Sequence, residues 1–303
     1  TLHPISIPVL MLAGIMFYSG VSHILLCRRR THRGMDFAFA LSCFAMGVYD
    51  LAGAALYNAA TPAQGVVWQQ VQIAALSLLT LFLLWFVLDF TGRMSRSVVI
   101  ALSVLLAVVA VLSLTNRGLV WDLNKPLVKN FELLPGFRVT YHEMAPGPLA
   151  KVQSVLGFVC LIYVMIAAVR TYRGGKRRKG RRLIEAFAIF GLGAANDTAV
   201  AAGLYESVYL IEYCYVPIVL MMSAALAREV AATERTRFDL EETEARLQTL
   251  FQNAAVGIAL TDRTGRIMEC NAALAGMFGV GRTRLLDTSI FDYFREDQRD
   301  TMR

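Results

Sequence analysis

The chain has 303 residues, a net charge of +7, 56% hydrophobic residues and only 17% charged ones. Soluble domains run nearer about 45–50% apolar and about 25% charged. The difference excludes a disordered tail, a disulfide scaffold and a basic soluble enzyme as readings of the whole chain.

A lipid core of about 30 Å needs roughly 20 apolar residues per helix. Seven such runs occur, at 5–26, 36–58, 66–90, 98–114, 148–169, 183–205 and 207–227. The first has no basic leader and is too long for a signal-peptide core. The predicted fold is an all-α membrane protein: a seven-transmembrane helix bundle over 1–227, then a helical, coiled-coil-like linker over 228–250 and a partial α+β domain over 251–303. Lys and Arg set the orientation. Fourteen of them fall in the segments around Arg28–Arg33, Arg93–Arg96 and the basic loop Arg170–Arg182. The other side holds only Arg117, Lys125, Lys129 and Arg138, with Lys151 at the boundary. The chain is therefore expected to have its N-terminus outside and its C-terminus in the cytoplasm. The loop Arg170–Arg182 reads as a topology signal in contact with anionic membrane lipid, not as a nucleic-acid patch. The five cysteines lie outside the long outer loop and lack metal-ligand spacing, so neither an exported disulfide nor a metal site is expected.

Segment 115–147 is the long outer loop. Phe131, Leu133, Phe137, Val139 and Tyr141 flank the turn signal Leu134-Pro135-Gly136, which predicts a hairpin lying over the bundle and able to cover a pocket. Residues 228–303 carry eleven basic and thirteen acidic side chains, net −2, which leaves +9 before them. A heptad seam of Leu226, Val230, Thr233, Arg237, Leu240, Glu244, Leu247 and Phe251 continues the last span as a helix suited to a parallel homodimer. Residues 256–261 and 267–271 then read as strands joined by Asp262-Arg263-Thr264-Gly265, and 271–278 as a short helix ended by Gly279. Phe251, Gly257, Asp262, Gly265, Asn271, Ala272, Phe278, Gly279, Leu285 and Leu286 resemble the first half of a PAS domain. The resemblance covers about fifty residues and not the later strands that close a PAS pocket, so it carries no claim of a PAS ligand.

Ionisable side chains inside spans are costly and mark candidate sites. Asp50, Gln72, Asp197 and Glu212 all fall about 8–12 Å inside the outer ends of four different spans, at 1.5 Å per residue. Their shared level predicts one polar layer facing the bundle interior. Asn58, Trp68, Asn196, Tyr209 and Tyr213 lie nearby in sequence and complete the predicted ligand-binding set, since a few polar groups among aromatics make up a small-molecule site. The same residues also suit an interhelical hydrogen-bond network. Asp36, Asp89 and Glu185 sit at span ends and are expected to be solvated.

The runs Tyr57-Asn58-Ala59, Trp68-Gln69-Gln70-Val71-Gln72, Phe82 through Gly92, and Gly147-Pro148-Leu149 resemble the seven-transmembrane N-terminal region of bacterial sensor histidine kinases. Asn196-Asp197 and Tyr209 to Tyr213 resemble the related seven-transmembrane receptors with diverse intracellular signalling modules. Gln70 stands where the family often has Arg. The resemblance implies a signal receptor of the bacterial inner membrane. A small-molecule or lipid-like, amphipathic ligand would bias the bundle, and a dimeric helix would carry the signal to PAS and to a cytoplasmic kinase or cyclic-dinucleotide enzyme. It implies no cofactor, no nucleic-acid partner and no catalytic residue in this stretch. A retinal photoreceptor would need a Lys in 207–227, which has none. A transporter with a regulatory tail is the alternative, but no repeated helix break accompanies Pro217. A hydrolase is disfavoured because His23 and Asp197 lie at opposite membrane ends.

Overall fold

The computed structural model describes residues 2–27, 33–134, 137–286 and 288–293. Helices α1 (Ser6–Cys27), α2 (Arg33–Leu56), α3 (Pro62–Thr91) and α4 (Arg96–Thr115) follow one another as neighbouring rods. A single turn α5 (Arg117–Val120) leads into strands β1 (Trp121–Leu134) and β2 (Phe137–Pro146). Helices α6 (Pro148–Arg173), α7 (Arg177–Ala201) and α8 (Ile211–Asn253) come next. The chain divides into two compact units, Thr1–Ala224 and Ala225–Arg303.

In the first unit, six helices among the described residues are long and apolar enough to cross a membrane, and the apolar stretch Ile211–Ala224 is a shorter seventh. Phe39, Leu79, Leu84, Phe86, Phe187 and Tyr215 meet in one buried core. Met11, Val104, Val111, Ile162, Leu192 and Leu220 point outward, so the helices are apolar on both faces, as lipid-embedded rods must be. Thr61 and Gly92 mark the ends of α3. The Thr61 hydroxyl accepts from Gln64 N at 3.4 Å, Pro62 occupies the first turn, and Gly92 adopts φ 62° to close the last one.

Three features differ from the sequence reading. The basic loop is mostly helix: α6 runs on through Arg173 and α7 starts at Arg177, leaving a turn at Gly174–Lys176 with Gly175 at φ 92°. Lys and Arg are good helix formers, and only the glycine pair interrupts them. The last span begins at Ile211 rather than 207, because residues 206–210 form an irregular connection whose backbone is engaged by Tyr141, Asn196, Tyr57 and Asp197. Asp36 is fully buried in the first turn of α2, with one carboxylate oxygen 3.3 Å from His23 Nδ1 of α1. Two residues that are each expensive to bury alone are buried here as a pair.

The hairpin was legible. β1 and β2 pair antiparallel with Lys129 opposite Tyr141 and Phe131 opposite Val139, and bulges fall between Asp122 and Pro126 and between Glu132 and Leu134. The turn residues Pro135-Gly136 lie outside the described residues, as do Arg28–Arg30 and residues 294–303.

In the second unit, α8 continues to Asn253. Leu240 and Leu247, seven residues apart, are exposed. The side chains of Leu226, Val230, Thr233 and Arg237, the first half of the seam, lie outside the described ones. Strands β3 (Ala259–Thr261) and β4 (Ile267–Cys270) form a hairpin, followed by α9 (Ala272–Phe278) and α10 (Arg282–Leu285). Asn271 organises this unit. Its side-chain oxygen accepts from Ile258 N at 2.9 Å and from Leu274 N at 3.0 Å, while its amide donates to Val256 O at 2.8 Å. Ile267, Cys270, Leu274 and Leu285 form the core.

Candidate functional site: a cavity under the hairpin

The alternation of the helices puts the ends of α2, α4 and α7 and the starts of α3, α6 and α8 under the hairpin. The two strands expose alternate residues to the bundle, so Val139, Tyr141 and Glu143 are buried while Arg138 and Thr140 are exposed. Lys129 lies opposite Tyr141 and diagonal to Glu143 on that inner face. Its ammonium donates to Glu143 Oε2 at 2.6 Å and to Val200 O, near the end of α7, at 2.7 Å. The other Glu143 oxygen accepts from the Tyr209 hydroxyl at 2.5 Å. Burial pushes the Glu143 carboxyl up from its ordinary range, against the pull of Lys129 and Tyr209. Burial, and then the Glu143 charge, pushes the Tyr141 hydroxyl up as well. That hydroxyl donates to Ser207 O at 2.8 Å. The hairpin thus holds both sides of the α7–α8 connection. On its other flank Gln69 of α3 accepts from Met144 N at 3.1 Å. Gly65 lets α3 approach closely, since a Cβ there would collide with the His142 carbonyl oxygen.

Asp197 and Asn196 finish α7 and start α8. The Asp197 carboxylate accepts from Leu210 N at 2.7 Å and Ile211 N at 3.2 Å. It caps the following helix from outside it, where the unpaired N–H groups and the helix dipole favour an anion. The Asn196 amide donates to Asp197 at 2.9 Å and to Val208 O at 3.1 Å, and its oxygen accepts from the Tyr205 hydroxyl.

Beneath this network lies a cavity walled by α3, α6, α7 and the start of α8, with Trp121 of β1 at its top. It holds about 1010 Å³ of atom-free space, its open mouth included. The wall includes Gln72, Asp197 and Tyr209 from the predicted set. The other six do not line it. Asp50 and Glu212 are buried, and both Asp50 carboxylate oxygens and Glu212 Oε2 have no hydrogen-bond partner among the described residues. Asn58 accepts from His3 N and donates to Ser6 Oγ and Ala54 O, each at 2.7 Å, so it pins the first helix to the second. Asn196 belongs to the connector. Trp68, 39% exposed, and Tyr213, 37% exposed, face outward, where amphipathic aromatics suit a membrane interface.

Sequence reading missed Tyr49, Gln153 and Trp121, which also form the wall. Gln153 carried a usable signal: it lies five residues inside its span, at the depth of the other polar side chains. Tyr49 carried none, because an aromatic in an apolar run looks like core. Lys129 and Glu143 were hidden because their pairing depends on strand register. Among the described residues no group of three or more His, Cys, Asp or Glu side chains could hold a metal ion.

Comparison with known protein families matches residues 5–231 to the N-terminal 7TM region of histidine kinase. The chain belongs to this family. A second match places a PAS fold at residues 245–303. No curated protein matches the chain. As a member of the histidine-kinase 7TM family it is a multi-pass membrane protein and a transmembrane sensor input module. Neither matched region is a catalytic domain.

Proposed function

We propose that the 7TM unit binds a small amphipathic ligand in the cavity under the hairpin and reports its occupancy through α8 to PAS and a kinase further along the same polypeptide. The observation that carries this reading is a double use of two residues. Asp197 and Tyr209 line the cavity, and the same two side chains hold the start of α8, through its capped N–H groups and through Glu143. A ligand that favours one arrangement of these contacts biases α7 and α8, and the bias can be no larger than its differential affinity for the two arrangements. Gln72 completes the contact surface. Asp50 and Glu212 stand behind it as a buried acidic layer that Glu212 shares with Asp197 electrostatically. The hairpin end faces the outside of a bacterial inner membrane. The opposite end, where Arg93, Arg96, Arg173 and the first turns of α7 collect, faces the cytoplasm and its anionic lipid headgroups. Two α8 helices pair in parallel along Leu240 and Leu247, and a rotation or register change of that pair carries the signal.

The test uses the native protein with its output domain. Gly157 lines the cavity, and a Cβ there meets nothing within 4 Å, so Gly157→Phe is the substitution chosen to fill the space. Gly157→Phe and Gln72→Leu should each shift the dose–response of output or lock it in one state. Wild-type output from both variants at every ligand dose would exclude the cavity as the sensing site. Cysteines placed at Leu240 and Leu247 should cross-link between copies, and failure at both positions would exclude the parallel dimer.

A further inference from the structure

The polar groups of the cavity wall are unevenly spread, and most of them are uncharged. On α3 the wall runs from Gln69 to Leu84, which is about 22 Å at 1.5 Å per residue. Its hairpin end carries Gln69, Gln72, Gln153 and Trp121, while its far end carries Leu83, Leu84, Val164 and Phe187. Tyr49, Gln72 and Gln153 are 6%, 8% and 3% exposed. No hydrogen bond joins any of the three side chains to a described residue, and of the four groups the Trp121 indole N–H alone is itself fully buried without a partner. Buried amides, phenols and indoles are almost always hydrogen-bonded, so four such groups around one space call for a guest that supplies the missing partners. They offer uncharged donors and acceptors together: two amide NH₂ groups, an indole N–H and a phenol O–H as donors, and two amide oxygens and the phenol oxygen as acceptors. Gln69 adds another NH₂, because only its oxygen is engaged by Met144.

Charge narrows the guest further. The wall contains no Lys or Arg, and the nearest buried ammonium, Lys129, is committed to Glu143 and Val200. Asp197 lines the wall, and Asp50 and Glu212 lie behind it. An anionic head would be buried near three carboxyls with no cation to offset it. A cationic head would leave the donor groups unanswered, since an ammonium accepts no hydrogen bond.

Building on the ligand-binding reading above, we propose that the cavity takes a single-chain amphiphile with an uncharged, carbonyl- and hydroxyl-bearing head, held by Tyr49, Gln72, Gln153 and Trp121, with its chain lying against Leu83, Leu84 and Phe187. The neutral head accepts from the amide, indole and phenol donors. The apolar end of the cleft takes the chain, and the water it releases drives binding.

Trp121 provides the readout. The chain has three tryptophans, and Trp68→Phe with Trp85→Phe leaves the cavity indole alone. The 303-residue chain carrying these two changes is placed in phosphatidylcholine nanodiscs and titrated with three probes sharing one brominated twelve-carbon chain: a monoacylglycerol, the free fatty acid, and an alkyltrimethylammonium. Bromine quenches indole fluorescence at contact, and partition into bulk lipid adds only a linear, non-saturating background. The monoacylglycerol should quench saturably and at least tenfold more tightly than the acid or the ammonium. Gln72→Leu with Gln153→Leu should weaken it by tenfold or more, and Gly157→Phe should abolish the saturable phase. Saturable quenching by the acid or the ammonium, at equal or tighter affinity, overturns the neutral-head assignment and leaves the ligand-binding reading standing. Linear quenching by all three probes, unchanged by Gly157→Phe, overturns both.

Discussion

Removing Lys129 is the sharpest test of how the hairpin is fastened. In Lys129→Met the ammonium that sits 2.6 Å from Glu143 and 2.7 Å from Val200 O is lost, while an apolar side chain of similar length fills its place. The pair is almost fully buried, at 3% and 1% exposure. Breaking such a pair from one side costs about 3–5 kcal/mol, because the remaining charge is left without water or partner. Glu143 can recover part of this by taking up a proton, at about 1.36 kcal/mol per pKa unit. Burial already pushes its carboxyl in that direction. The expected net loss is about 2–4 kcal/mol in the opening of the hairpin. Hydrogen exchange at the β2 amides reads this directly as local opening, and the loss corresponds to about 30- to 900-fold faster exchange. Adding Glu143→Gln keeps an acceptor for the Tyr209 hydroxyl and removes the stranded charge, so the double variant should recover at least half of the loss. If the two single effects add within about 0.5 kcal/mol, the ammonium and the carboxylate are not coupled and the clasp is wrongly assigned.

Other expectations follow from the same contacts. Asp197→Ala removes the acceptor for Leu210 and Ile211 N–H and should loosen the start of α8 by about 1–2 kcal/mol, read as faster exchange at those two amides; Asp197→Asn should lose less. Gly65→Ala drives a Cβ against the His142 carbonyl and should cost about 1–3 kcal/mol in hairpin opening, while Gly118→Ala, where a Cβ meets nothing within 4 Å, should be silent. In the second unit the Thr264 hydroxyl, then the Arg266 and Thr264 N–H groups, hold the Asp262 carboxyl below its ordinary 3.8. A depressed carboxyl stabilises the β3–β4 turn above its unfolded pKa and stops doing so as pH falls through the folded one. Its carbon-13 carboxyl resonance should therefore titrate below 3.8, and Thr264→Val should move the midpoint back up.

Local chemistry made much of this protein legible in its sequence. Seven apolar runs announce the bundle because lipid leaves a backbone no other partner than itself. The hairpin follows from alternating side chains around a turn, and the strand–turn–helix order of the PAS half from Asp262, Gly265, Asn271 and Gly279. Depth within a span is also a one-dimensional property, so Gln72 and Asp197 could be placed at one level by counting residues.

Tertiary structure decided what counting could not reach. Which face of a helix looks into the cavity depends on its rotation against its neighbours. Gln72 therefore lines the wall while Trp68 and Tyr213 point outward, and Tyr49 joins the site without any signal of its own. Whether a charge is solvated depends on what lies opposite it. Lys129 reads as a loop charge and Asp36 as a solvated helix end, yet each is buried against a partner on a neighbouring element. Asp197 shows the limit most clearly. Its place inside a span marks it as costly, but only the fold reveals that its carboxylate answers the free N–H groups of the next helix. Sequence states which side chains are expensive to bury, and the packing of helices and strands determines what each is buried against.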